Sequence, residues 1–263
     1  MWRDDPGLYR AVVTSQVLDA TRNLIEKNAF GVVVTVIAGP DAGAKAALDS
    51  DGQVIAGSLP DRLEGPVRSD AVQLMAREAS TTLGYDDDEV FFEVIAPRPR
   101  LFVFGAVHIA QELVQHAGLL GFHTVVADPR PAFVTKERFP EADELRVGWP
   151  DAVVDRSSFD ARTFVVVLTH DRRFEDPLWP LLLPTDVRYI GAMGSSKTSA
   201  ARRQRLLDSG FSDEQVDRIH GPIGLDIGSR AAGEVAIAIL GEMISSRYLH
   251  DQELELEGRP VRL

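Results

Sequence analysis

The chain has 263 residues, 44% of them hydrophobic and 26% charged, a make-up typical of an ordinary folded protein with one large domain or two smaller ones. Its formal net charge of −12 argues against non-specific binding to nucleic acid or to an anionic membrane, both of which need a basic surface. There is no cysteine, which excludes disulfides, thiolate metal ligands and a thiol nucleophile.

The N-terminus, Met1-Trp2-Arg3-Asp4-Asp5, is polar and leads into no apolar signal-peptide core. No uncharged apolar run approaches the roughly 18 residues of a membrane helix. With the absence of disulfides, this fits a cytoplasmic protein. From about Leu8 to Lys27 the spacing is helical, with Val12, Leu18, Leu24 and Ile25 among the apolar positions. Gly31–Ile37 is β-branched and reads as a buried strand. Ala46-Ala47-Leu48 and Val54-Ile55-Ala56 flank Asp49-Ser50-Asp51-Gly52, a hairpin signal. A helix is expected from about Val67 to Leu83. The run Asp86–Glu89 reads as a solvated acidic loop before a strand at Val90–Ile95. Ala96-Pro97-Arg98-Pro99-Arg100 is a stiff linker, because two prolines exclude helix. The first domain, α+β, is therefore placed at residues 1–96.

From residue 101 to 263 strands and helices alternate. Strands are expected at Leu101–Phe104, Thr124–Ala127, Phe164–Leu168 and Arg188–Ile190. Helices are expected at His108–Leu120, about Thr198–Asp208 and about Ala231–Arg247. Ser212-Asp213-Glu214-Gln215 has capping-box spacing for a short helix. Trp179-Pro180-Leu181-Leu182-Leu183 reads as core. Such alternation implies an α/β, Rossmann-like doubly wound parallel sheet.

The first turn of that sheet carries the most information. A strand ends at Phe104, Gly105-Ala106-Val107-His108 opens a helix, and Asp128 ends the next strand about twenty residues on. In a dinucleotide fingerprint the glycine makes the turn, the helix N-terminus meets the phosphate, and the acid meets the ribose. Here Val107 stands at the second glycine position, so the alternative that Gly105 merely closes a βα turn has equal weight. His108 reads as a ligand-facing group or a surface histidine. Arg130 would meet a phosphate or pair with Asp128. Three further loops fall on the same carboxyl edge. They are Thr169-His170-Asp171; Gly191 to Lys197, in which Gly191, Gly194, Ser195 and Lys197 would cradle an anion; and His220 to Ser229, with Gly224 and Asp226. No catalytic acid–base set is recognisable.

Val165-Val166-Val167-Leu168-Thr169-His170-Asp171, Asp186 through Ser195 and His220 through Gly228 resemble the C-terminal domain of the XdhC/CoxI family, the xanthine dehydrogenase accessory proteins. The resemblance runs from about Leu101 to about Ser246. It includes Gly105, Ala106 and His108 of the family's G-A-G-H turn, from which Val107 departs. The first domain departs more. Ala56-Gly57-Ser58-Leu59-Pro60 stands where the family has S-G-G-C, and the acidic loop replaces a second Gly-Cys segment.

The resemblance implies an accessory protein rather than a catalyst. It would bind molybdenum cofactor, as molybdopterin or its nucleotide form, and deliver it to an apo-enzyme of the xanthine or CO dehydrogenase type, with a sulfurase as a further partner. The loops would hold the pterin and its phosphate. Two other classes stay open: an NAD(P)-dependent oxidoreductase, from the Gly105 turn and Asp128, and a cofactor-free regulatory module of the same fold. A homodimer is the prior, since C2 dimers are the commonest oligomers.

Overall fold

The computed structural model of the chain describes residues 6–154, 159–248 and 256–261. The polar terminus at Met1–Asp5 lies outside them. The chain forms two compact units, Met1–Pro97 with Asp251–Leu263, and Arg98–His250. Among the described residues no helix is long and apolar enough to cross a membrane.

The first unit is a six-stranded sheet built from β1 (Gly31–Ala38), β2 (Lys45–Asp49), β3 (Val54–Ser58), β4 (Thr81–Tyr85), β5 (Asp88–Ile95) and β12 (Arg259–Pro260) in the order β12-β4-β5-β1-β2-β3. Its pairings are antiparallel. Helix α2 (Asp61–Ala76) lays Leu63, Val67, Ala71 and Leu74 on one face, against Val32, Val34 and Phe92. Helix α1 (Pro6–Glu26) supplies Val17 to the other face, beside Val33 and Ala47.

The expected first helix forms as α1, and three other expectations for this unit need correction. Among the α1 residues whose side chains are described, Val17 and Leu24 are buried, whereas Leu18 and Ile25 are exposed. Val12 lies outside the residues whose side chains are described. The second helix begins at Asp61, not Val67, with Pro66 inside it, and it ends at Ala76. Asp61 and Glu64 in its first turn favour the earlier start by complementing the helix dipole. Thr81-Thr82 is β-branched and enters β4 instead of prolonging the helix. Asp88 of the acidic run is buried, 1% exposed, and ion-paired with Arg62. Finally, Arg259–Pro260 pairs with Gly84 and Leu83, so this strand belongs to the first unit and not to the domain expected at residues 101–263. The buried Asp70 carboxylate anchors that return, accepting from Tyr85 Oη at 2.5 Å and from the N–H groups of Glu257 and Gly258 at 2.8 Å each.

The second unit is a parallel sheet of β6 (Arg100–Phe104), β7 (His123–Asp128), β8 (Glu144–Val147), β9 (Thr163–Val167), β10 (Tyr189–Ala192) and β11 (Ile219–His220). The order is β11-β10-β9-β6-β7-β8. Renumbered within the unit this is 3-2-1-4-5-6 read from the β8 edge, the doubly wound Rossmann order. Alternate residues of the apolar strands serve opposite faces. Leu101, Val103, Phe164 and Val166 pack with α3 (His108–Leu119) and α9 (Ala232–Tyr248). Phe102, Phe104, Val165 and Val167 pack with Phe174, Trp179, Leu182, Leu183 and Leu206 on the other. Leu206 comes from α7 (Ser196–Asp208). The Trp179–Leu183 stretch is core, as its composition suggests, with Trp179 1% exposed. The capping box at Ser212 and Gln215 forms in both directions and starts α8 (Asp213–Asp217).

Candidate functional site

Strand order decides which loops meet. Strands β6 and β9 are neighbours, yet their connections leave in opposite directions, and a crevice opens at such a switch point beyond the carboxyl ends. Gly105 sits there with φ +111°, a conformation strained for any side chain. A Cβ on it would lie 3.1 Å from the Leu168 carbonyl carbon and 3.2 Å from the Thr169 nitrogen. Glycine is thus required both by the turn and by the closeness of β9.

Asp128 ends β7 beside this turn, with its side chain 2% exposed. Oδ2 accepts from the Ala106 N–H at 2.9 Å and from Arg130 Nη2 at 2.7 Å. Oδ1 accepts from the Arg130 N–H at 3.0 Å and Arg130 Nε at 2.8 Å. All four acceptor positions of a carboxylate are thereby used. Burial by itself would raise this carboxyl, but the bonds from Arg130 and from the Ala106 N–H prevail and hold it below the usual aspartate range. The ribose contact expected of Asp128 meets a group already saturated, and of the two readings of Arg130 the structure has the ion pair. Arg130 also stacks on Phe133, 4.2 Å from the ring centroid.

A cavity of about 280 Å³ adjoins this pair, lined by Asp128, Arg130, Trp149, Thr169, Asp171 and Arg173, among others. Asp171 receives Arg173 through Nε at 3.1 Å and Nη2 at 2.7 Å, and its own N–H donates to Thr169 Oγ1 at 3.0 Å. Trp149, 45% exposed, meets Phe174 edge-on at 6.1 Å. The cavity therefore offers two guanidinium groups and an accessible indole. Sequence reasoning misses Trp149 and Arg173. Their signals are weak: a Trp-Pro step after a short charged strand, and an arginine two residues past Asp171.

The other expected residues lie elsewhere. His108 is exposed, its Nδ1 3.2 Å from Gln111 Oε1, and it lines a different cavity of about 320 Å³. Ala106 is buried and Val107 is the N-cap of α3. His170 is exposed. Gly191 is corrected from loop to strand: it is buried within β10, where a Cβ would strike Ile223 and the Tyr189 hydroxyl. Ser195 caps α7, accepting from the Thr198 N–H at 3.2 Å, while Gly194 packs against Thr198 and Lys197 is exposed. Gly224 lies against the backbone of Ala238 and Ile239, and Asp226 is exposed. That last loop is pinned by Glu242, which accepts from the Gly224 N–H at 2.8 Å and Tyr189 Oη at 2.5 Å and lies 3.2 Å from His220 Nδ1. Burial works against the Glu242 charge, yet His220, Tyr189 and the Gly224 N–H keep its carboxyl below the usual range; burial and Glu242 in turn push the Tyr189 phenol up. Among the described residues no group of three or more His, Asp or Glu is placed to hold a metal ion.

Asp128→Asn keeps the shape but loses the charge and one acceptor. It is expected to lower stability at pH 7 by about 2 kcal/mol. Because the folded carboxyl lies below its unfolded value near about 3.9, its stabilisation is complete above that pH and is lost as pH falls through the lower folded value. The gap between wild type and variant should therefore close with acidification, as measured by urea unfolding at several pH values.

A crevice at the switch point of a 3-2-1-4-5-6 sheet defines the class: a Rossmann-type unit, a fold whose ligand sites lie at the carboxyl edge. The profile of the XdhC Rossmann domain matches residues 101–243, more than half of the sequence, and the chain belongs to the XdhC family. It is 32% identical over 158 residues to a Bacillus subtilis (strain 168) protein named as a probable xanthine dehydrogenase subunit, covering 60% of this chain and 46% of that one. It is 29% identical over 163 residues to the Escherichia coli (strain K12) molybdenum cofactor insertion chaperone PaoD, covering 62% and 44%. The chain thus spans less than half the length of these relatives. A crystal structure of a xanthine dehydrogenase from Bacillus halodurans matches with a TM-score of 0.71 at 24% identity, over 89% of this chain and 65% of that one, which shows the shared fold.

Proposed function

We propose that this chain is an accessory protein in the maturation of xanthine dehydrogenase-type molybdenum hydroxylases, holding molybdenum cofactor for delivery to the apo-enzyme. The observation that carries the reading is the switch-point cavity with Arg130, Arg173 and Trp149 at its wall. Its chemistry fits the organic part of that cofactor. Beyond the N–H groups given to Asp128 and Asp171, each guanidinium has further donors that suit a phosphate oxygen, and an indole face stacks on a planar heterocycle such as a pterin. The cofactor would supply redox chemistry to the client enzyme. This chain's part is to bind, orient and shield, with no cysteine to ligate the metal. The partners on this reading are a cytoplasmic apo-enzyme and a sulfurase, and the working form is a homodimer. The NAD(P) alternative is less well supported, since Asp128 has no acceptor left for a ribose hydroxyl.

Mixing the purified chain with molybdopterin, followed by gel filtration, metal analysis and pterin fluorescence, is the direct test. Retention near one cofactor per chain is expected, with Arg173→Ala and Trp149→Ala each weakening it about tenfold, the worth of one charge-assisted bond or one stacked ring. No retained pterin, or protection from unfolding by NADH or NADPH instead, would overturn the reading.

A further inference from the structure

A larger cavity, of about 510 Å³, lies between α7 and the segment after β11 and shares no lining residue with the Asp128 cavity. Ser196, Ser199 and Arg203 line it along one face of α7 at helical spacing, with Gly221 and Pro222 opposite. Arg202 lines it too, with its side chain only 3% exposed.

Two groups in this wall lack partners. Arg202 Nε donates to Glu175 at 2.5 Å, and Nη2 donates to the Met193 carbonyl at 2.8 Å. Its Nη1 has no hydrogen-bond partner among the described residues, and neither has Ser199 Oγ. Buried polar atoms are paired in the great majority of cases. Two orphans on side chains that border one cavity call for a partner from outside the chain. Gly221 lies close against this hydroxyl, where a Cβ would sit 2.8 Å from Ser199 Oγ, so a larger residue there would crowd it.

The chemistry of that partner follows from the donors. A buried guanidinium N–H and a hydroxyl suit an oxyanion, and Ser196 places the N-terminal, positive end of the 13-residue helix α7 at the same wall. The negative Asp217 at the rim is engaged by Arg203 at 3.1 Å. Val216 and Ile219 give the remaining wall an apolar surface, and the volume exceeds what an inorganic anion fills. We infer that this cavity binds the phosphate group of a small phosphomonoester, with Arg202 Nη1 and Ser199 Oγ as its donors. This site is additional to the proposed cofactor cavity and does not rest on that reading.

Titrating the full chain first with inorganic phosphate and then with glycerol 3-phosphate, while following backbone amides by NMR at constant ionic strength, tests the assignment without any molybdenum cofactor. Saturable shifts at Ser196, Ser199 and Gly221 are expected with both, and chloride should cause none. Ser199→Ala removes one donor without touching the Arg202–Glu175 pair and should weaken both ligands about tenfold. Unchanged affinity in Ser199→Ala would overturn the proposal, as would absence of saturable shifts at these amides. Binding of inorganic phosphate but not the ester would overturn the phosphomonoester assignment.

Discussion

Gly105→Val should destabilise the Rossmann unit by about 4 kcal/mol, among the largest effects of any single substitution in the chain. Two costs add. The backbone at φ +111° lies where L side chains are strained, worth about 1–3 kcal/mol. The Cβ would press on the backbone of Leu168 and Thr169 at 3.1–3.3 Å, and forcing extra methyls into a closed packing costs about 1–3 kcal/mol more. Gly105→Ala carries the first cost and only part of the second, so it should fall between wild type and valine. Urea unfolding of the three proteins measures the series. A valine variant within about 1 kcal/mol of wild type would mean that the turn is not held as described. Because Gly105 donates its N–H to Ala127 at 2.9 Å and Ala106 donates to Asp128, any variant that still folds should also weaken the binding proposed for the adjoining cavity.

Glu175→Ala should be nearly as costly. Glu175 and Arg202 form an ion pair with side chains 5% and 3% exposed. Removing one partner leaves the other charge in an apolar setting against Trp179, and losses of about 3–5 kcal/mol are usual for that. The paired replacement Glu175→Leu with Arg202→Met removes both charges together and should recover most of the loss, since well-packed apolar pairs often match buried ion pairs. A double-mutant cycle by denaturant unfolding gives the coupling directly. Additive losses would show that the two side chains act independently. Arg202 also holds the Met193 carbonyl, so Glu175→Ala should raise hydrogen exchange around Gly194 before the unit unfolds globally.

The core of the second unit was legible because its strands are unbroken apolar runs. Val165 and Val166 face opposite helical layers, and only a sheet covered on both sides tolerates such a run. The turn at Gly105 and the acid at Asp128 were legible for the same reason: each directly follows such a strand. What the sequence withheld was lateral order. Thr169, Asp171, Asp128 and Arg130 come to one cavity because β9 and β7 both flank β6, whereas Ser195, Lys197, Gly224 and Asp226 follow strands further along the sheet. Local pattern carries no trace of that order. Trp149 is hard to find because its strand, Glu144–Val147, is short, charged and at the edge, and so lacks the apolar signature of the centre. Asp88 looks like a solvated loop residue because its partner Arg62 is distant in sequence.

The return of Arg259–Pro260 to β4 makes the Rossmann unit an insertion within the chain of the other. During synthesis the unit encoded first is therefore completed after the one encoded within it. Until Glu257–Pro260 is made, β4 presents an open hydrogen-bonding edge and the Asp70 carboxylate lacks two of its donors. Among the described residues the strands of the inserted unit pair only with one another. A nascent chain should thus pass through a stage in which the Rossmann fold is finished while the unit encoded before it still waits for its edge.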